Sequence, residues 1–219
     1  MTRIHRSALF GSLILGSALL TGCLELFKPA QPTPPVVSGG SMLVTRDYSD
    51  PDRTLHTMAL AMANKNQGNG ADAWVGAFAD PATDAGATVE FVFDAAVLQA
   101  AGLQDPDWNL VSESRFYSFM CVYRTQPYYL EWTSWDPGGD DDTNVADGTA
   151  YRPRKYRLYT VDENGNTSGL VAIGVARLYF ERTTTSRWAV IRWIDTIAPD
   201  ADPNNVDQEC FSKRRLSSR

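Results

Sequence analysis

From Tyr128 onward the chain trades helical spacing for strand spacing, and this switch constrains the fold more than any other feature. Tyr128 to Trp135 is aromatic and β-prone. Tyr151 to Val161 and Leu170 to Glu181 are longer runs of the same kind, and Arg187 to Asp195 closes the series. Asp162 to Gly169, with Asn164-Gly165 inside it, reads as a hairpin turn, because that pair accepts the positive φ such turns need. Consecutive strands joined by short turns form an antiparallel meander.

Upstream, the apolar residues fall at helical intervals. Leu55, Met58, Ala59 and Met62 stand at i, i+3, i+4 and i+7, behind Ser49 or Asp50 as cap and Pro51 in the first turn. A shorter helix is expected over about 71–79, with Trp74, Val75 and Phe78 on one face. Thr88 to Phe93 reads as a strand, and Asp94 to Ala101 as a helical turn closed by Gly102. A third helix is expected between Asp107 and Arg124, with Phe116, Phe119, Met120 and Tyr123 as its stripe and Pro127 beyond its end. Helices, one strand, a helix and then four strands make an α+β fold. The economical packing is a curved antiparallel sheet wrapped around about three helices.

Four segments carry a family resemblance. The first helix ends in Ala63-Asn64-Lys65-Asn66. Trp74 to Asp80 (WVGAFAD), Thr88-Val89-Glu90-Phe91 and Arg187 to Asp195 (RWAVIRWID) follow in order. The chain thereby resembles the nuclear transport factor 2-like superfamily, the cystatin-like cone that includes SnoaL-like cyclases and ketosteroid isomerases, over most of 48–196. It is closer still to exported lipoproteins of that fold to which no activity attaches. The resemblance implies a cone, which hosts both enzymes and inert binding modules. In the isomerase type it implies a carboxylate base at the end of the first strand, a position that falls near Glu90. Asp94 is the neighbouring candidate, better placed as the cap of the turn after it. By alternation, Glu90 faces away if Phe91 and Phe93 face the helices.

Other chemistry is sparse. His56 is the single histidine beyond the leader, beside the first helical stripe, and assembles no nucleophilic triad or metal set. Asp140-x-Asp142-x-Asn144 is similar to the start of a calcium loop. Val145 stands where glycine is needed and no glutamate closes it, so a solvated acidic loop is expected and no metal or other cofactor. The aromatics are read as core, or as the lining of an apolar cavity or sheet face that binds a ligand or partner. The candidates are Trp74, Phe91, Phe93, Phe116, Trp132, Tyr159, Tyr179 and Trp188, with Arg192 to orient a ligand.

The N-terminus supplies an address. Arg3 and Arg6 precede an apolar stretch, Ser7 to Leu20, too short for a stable span, and Leu20-Thr21-Gly22-Cys23 resembles a bacterial lipobox. Residues 1–22 are read as a lipoprotein signal peptide, and 23–41 as a lipidated Cys23 with a Pro/Gly-rich tether. The α+β domain is read as 42–199 and a C-terminal tail as 200–219. Leu24 after the cysteine points to an outer membrane facing the periplasm where the host has one. The formal net charge of −6 becomes −8 without Arg3 and Arg6, which disfavours nucleic acid. Lys213-Arg214-Arg215 in the tail reads as a solvated terminus, or as a contact for anionic lipid headgroups. With Cys23 acylated, Cys121 and Cys210 remain, and in an exported protein they are expected to bridge, closing a loop of about 90 residues worth ~4 kcal/mol. The expected function is a membrane-anchored binding or interaction module without enzymatic activity. The alternatives are a cone-type isomerase, dehydratase or cyclase on an apolar small molecule, and a structural envelope lipoprotein acting as a homodimer.

Overall fold

Asp50 starts the first helix, accepting a hydrogen bond from the Arg53 amide at 2.8 Å, and Pro51 and Asp52 fill its first turn. These features suit the exposed N–H groups and the dipole at a helix start. The computed structural model describes residues 43–64, 69–121, 126–202 and 209–219. Cys23, the leader, the tether, Lys65, Asn66, Tyr123 and Arg124 lie outside these. Helix α1 spans Pro51–Ala63 and α2 Gly70–Val75. The short strand β1 is Glu90–Val92. Helix α3, Ala95–Ala101, is capped by Asp94 and ended by Gly102 at φ 68°, a conformation glycine adopts without strain. Helix α4 is Leu110–Cys121.

The meander follows as expected, with β2 at Tyr128–Ser134, β4 at Thr149–Val161, β5 at Thr167–Arg182 and β6 at Trp188–Ile197. A short strand β3, Asp142–Asn144, pairs with β4 inside the acidic segment. The order is β1-β6-β5-β4-β2 in a curved, unclosed sheet that folds over the helices as a cone. One expectation is corrected here. β1 runs parallel to β6, so the sheet is mixed rather than wholly antiparallel. Helices α3 and α4 intervene between β1 and the meander, so no tight turn forces β1 into the alternating direction.

The main cluster of the interior is drawn from helices and sheet. It contains Leu55, Met58 and Met62 of α1, Trp74 of α2, Phe116 and Met120 of α4, and Tyr156, Leu158, Leu178, Phe180 and Trp193 of the strands. A bulge in β6 decides which residues join it. Phe180 pairs with Val190 while Tyr179 pairs with Arg192, so Ile191 is the extra residue. The bulge shifts the alternation by one position. Trp188 and Val190 face inward before it, and Trp193 and Asp195 face inward after it.

A second correction concerns the tail. Phe211–Leu216 forms a helix, α5, and Phe211, Ser212 and Arg215 are buried. The segment read as a solvated terminus therefore supplies part of the core. Only Lys213 of its basic triplet is exposed, paired with Glu209 at 2.8 Å. A third correction concerns the cysteines. Cys121 and Cys210 are both free and buried. Cys121 lies against the Met62 sulfur at 3.6 Å, and Cys210 caps α5, so each is enclosed by different neighbours.

Candidate functional site

Glu113 lies on α4 in register with Phe116, Tyr117 and Met120, which places its carboxylate inside the cone with no exposed surface. Both oxygens are fully used. Oε1 accepts from Trp74 Nε1 at 2.9 Å and from Arg215 Nη2 at 2.8 Å. Oε2 accepts from Trp108 Nε1 at 2.7 Å and from Arg215 Nε at 2.8 Å. A carboxylate offers about four lone-pair directions, and here four donors take them.

Arg215 reaches this carboxylate from α5 and is 1% exposed. Its guanidinium carbon lies 4.4 Å from the Trp193 ring centre, 5.0 Å from Phe91 and 5.3 Å from Phe116. A guanidinium between aromatic faces and a forked carboxylate is held both by the ring quadrupoles and by charge-assisted hydrogen bonds. Burial opposes the charge on Arg215, but Glu113 and then Asp195 outweigh it and keep the group more basic than usual.

Asp195, brought inward by the β6 bulge, is the second buried acid. Its Oδ1 accepts from the Tyr156 hydroxyl at 2.7 Å, and its Oδ2 accepts from the Ser212 amide. The same Tyr156 hydroxyl accepts from the Phe211 amide at 2.6 Å. Burial raises the Asp195 carboxyl above the usual carboxylate range, against the opposing charge of Arg215. Burial also drives the Tyr156 hydroxyl well up, so it stays a donor. Ser212 Oγ accepts from the Asp94 amide at 3.1 Å, which ties α5 to the start of α3. With α5 seated, both acids are buried and hydrogen-bonded within the protein.

The sequence candidates divide between interior and outer face. Trp74, Phe116 and Trp188 are core, and Phe93 is buried with its ring 5.5 Å from Trp108. Phe91 and Trp132 are half-buried against that core, and Trp132 Nε1 donates to the Leu55 carbonyl at 3.1 Å. Tyr159 and Tyr179 lie on the outer face, paired with Tyr129 and Tyr151 at ring separations of 6.4 and 4.9 Å. Arg192 is also outside, bonded to Glu90 at 2.9 Å. Glu90 is therefore an exposed ion-pair partner and not an interior acid. Asp94 caps α3, accepting from the Ala96 and Val97 amides. His56 is exposed. In the acidic segment, Asp141 pairs with Arg154, which also holds Asp52 at 2.9 Å. Two surface grooves, of about 410 and 270 Å³, are lined by none of the nine ligand candidates.

Glu113, Trp108, Asp195, Tyr156, Phe211 and Arg215 escaped the sequence reading as a site. One signal was present. Glu113, Phe116, Tyr117 and Met120 also stand at i, i+3, i+4 and i+7, so the α4 stripe has a carboxylate in it. An acid in an apolar stripe asks for a buried cationic partner.

No family model matches the chain, and no curated protein matches it. Several solved structures are similar to it. One from Catenulispora acidiphila, in complex with S-DNPA, is 11% identical over 68% of this chain and 91% of its own, at a TM-score of 0.46. A protein of unknown function from Mycobacterium tuberculosis is 11% identical over 76% of this chain and 90% of its own, at 0.45. A candidate dehydratase of the nuclear transport factor 2-like family from Streptomyces avermitilis is 16% identical over 68% and 94%, at 0.41. At such identities no residue role carries over to this chain.

Proposed function

We propose that this chain is an exported lipoprotein, held to the envelope through acylated Cys23, whose cone serves as a binding or interaction module rather than an enzyme. One observation carries the second half of this reading. Both buried acids of the cone are engaged by the protein's own α5, with Arg215 on Glu113 and the Ser212 amide on Asp195. A proton-transfer site needs an acid or base within reach of its substrate. Among the similar structures, the candidate dehydratase raises the enzyme alternative. The burial of both acids and their engagement by α5 weigh against that reading for this chain.

The anchoring half rests on Leu20-Thr21-Gly22-Cys23 after a short apolar run. Two or more acyl chains give stable membrane attachment. The test is metabolic labelling with an alkynyl fatty acid in a bacterial host, with wild type beside Cys23→Ser. Label and firm membrane partition in wild type, both lost in the variant, support the reading. Equal partition of the two proteins overturns it. A parallel thermal-shift screen with steroid-like and other apolar compounds tests the module half, where a saturable stabilisation that Asp195→Asn abolishes would favour the enzyme.

A homodimer through the outer sheet face is the second reading. It is favoured by the half-exposed Tyr129, Tyr159, Tyr151 and Tyr179 beside the Glu90–Arg192 pair. Sedimentation at micromolar concentration tests it, and a strict monomer removes it.

A further inference from the structure

We propose that the interior of the cone is a recognition socket for guanidinium groups, occupied in the resting chain by its own Arg215. This goes beyond the module reading and does not depend on the lipid anchor.

The socket is built without the tail. Glu113 comes from α4, and the indole N–H groups of Trp74 and Trp108 fix its two oxygens from either side. Phe91 of β1, Phe116 of α4 and Trp193 of β6 supply the aromatic faces. Recognition of a planar cation asks for such parts, a forked carboxylate pre-oriented by other donors and rings against the cation's faces. The tail contributes the cation and one further ring, Phe211, centred 5.8 Å from the guanidinium carbon.

Two further observations point to an exchangeable occupant. First, much of the seating of α5 is polar. It uses the Glu113 fork, the Asp195–Ser212 contact, the Tyr156–Phe211 amide bond and Arg214 Nη2 on the Val171 carbonyl at 2.7 Å. Withdrawing Arg215 alone would strand the buried Glu113 charge, so exchange requires an incoming cation to take its place on the fork. Second, Trp193 Nε1 is buried and has no hydrogen-bond partner among the described residues. It belongs to the ring centred 4.4 Å from the guanidinium. The socket wall is thus one acceptor short. A ligand that brings an acceptor oxygen to Trp193 Nε1 along with its guanidinium would satisfy both.

The experiment uses the chain with Arg215→Ala, which empties the cation position and leaves Phe211 and Ser212 in place. The probes are ethylguanidinium chloride, its neutral isostere N-ethylurea and an acetylated arginine amide. A saturable rise in thermal midpoint with ethylguanidinium is expected, absent with N-ethylurea and reduced at least tenfold in affinity when Glu113→Gln is added. The arginine amide should bind more tightly than ethylguanidinium if Trp193 Nε1 gains its acceptor. In wild type, where Arg215 competes, ethylguanidinium should bind more weakly and speed hydrogen exchange of Phe211 to Leu216 saturably. The proposal is overturned if N-ethylurea acts as well as the cation, or if Glu113→Gln changes nothing. It is also overturned if exchange in wild type does not respond. Arg215→Gln repeats the comparison should Arg215→Ala fail to fold. If neither folds, Arg215 is a fixed part of the core and the proposal fails.

Discussion

The rings of Tyr156 and Phe211 stack face to face, 4.3 Å apart and 9° from parallel, while the Tyr156 hydroxyl accepts the Phe211 amide. One strand residue thus holds both the side chain and the backbone of the C-terminal helix. Removing the Phe211 ring leaves a cavity at the centre of the cone. Phe211→Ala should cost about 3–5 kcal/mol, the range for buried phenylalanine truncation. Urea unfolding checks this through a lower midpoint at unchanged slope. A loss under 1 kcal/mol would mean that α5 does not occupy the core.

Glu113 and Arg215 should behave as a unit. Glu113→Ala strands a buried guanidinium and two indole donors, and should cost about 3–5 kcal/mol. Adding Arg215→Met to Glu113→Ala removes the stranded charge, so the double variant should lose clearly less than the two single losses summed. A double-mutant cycle measures the coupling. Simple additivity would separate the two residues.

The route to this pair was half legible in the sequence. The meander from Tyr128 to Asp195 and the α1 stripe follow from periodicity, because each buries one continuous face. The β6 bulge at Ile191 was not legible, and with it went the inward turn of Asp195, since strict alternation cannot place Trp188 and Asp195 on one side. As a run, Lys213-Arg214-Arg215 looks solvated. The tail's helical spacing, with Phe211 and Arg215 at i and i+4, sends one cation inward, leaves Arg214 half-buried and exposes Lys213. The α4 segment carries two apolar stripes, one through Phe119 and one through Tyr117, and only the second contains Glu113.

Gly174 tests the same anchor from the neighbouring strand. A Cβ there would fall on the Tyr156 hydroxyl. Gly174→Ala must therefore displace Tyr156 from Asp195 and Phe211, at about 1–3 kcal/mol for overpacking. A lower thermal midpoint together with faster amide exchange at Phe211 is expected. An unchanged exchange rate would show that Tyr156 does not hold the tail.

The two kinds of acid pull stability in opposite directions with pH. Burial raises the Asp195 carboxyl above its ordinary value of 3.8, so from pH 3.8 upward the folded state holds a proton that the unfolded chain has lost. Stability from this group therefore falls as pH climbs to its raised value. Asp141 is held below 3.8 by the hydrogen bond from Arg154, so its contribution is present above that pH and disappears as pH drops through its lowered value. Thermal midpoints of wild type and Asp195→Asn, taken across pH 4–8, should show the variant gaining on wild type as pH rises. A constant difference would contradict the assignment.

The thiols give a chemical check. Cys121 and Cys210 should be unreactive in the native chain and both free on denaturation. Burial pushes the Cys121 thiol up to about 12 and the Cys210 thiol further, and the thiolate is the reactive form. Alkylation followed by non-reducing mass mapping reads this directly. A Cys121–Cys210 crosslink would overturn it.

The central claim, that the C-terminal helix fills the cone, is tested most directly by residue-resolved hydrogen exchange on the unmodified chain. The Phe211 and Ser212 amides, bonded to Tyr156 and Asp195, should exchange as slowly as the amides of β4 and β5. Exchange at the rate of an unstructured terminus would contradict it.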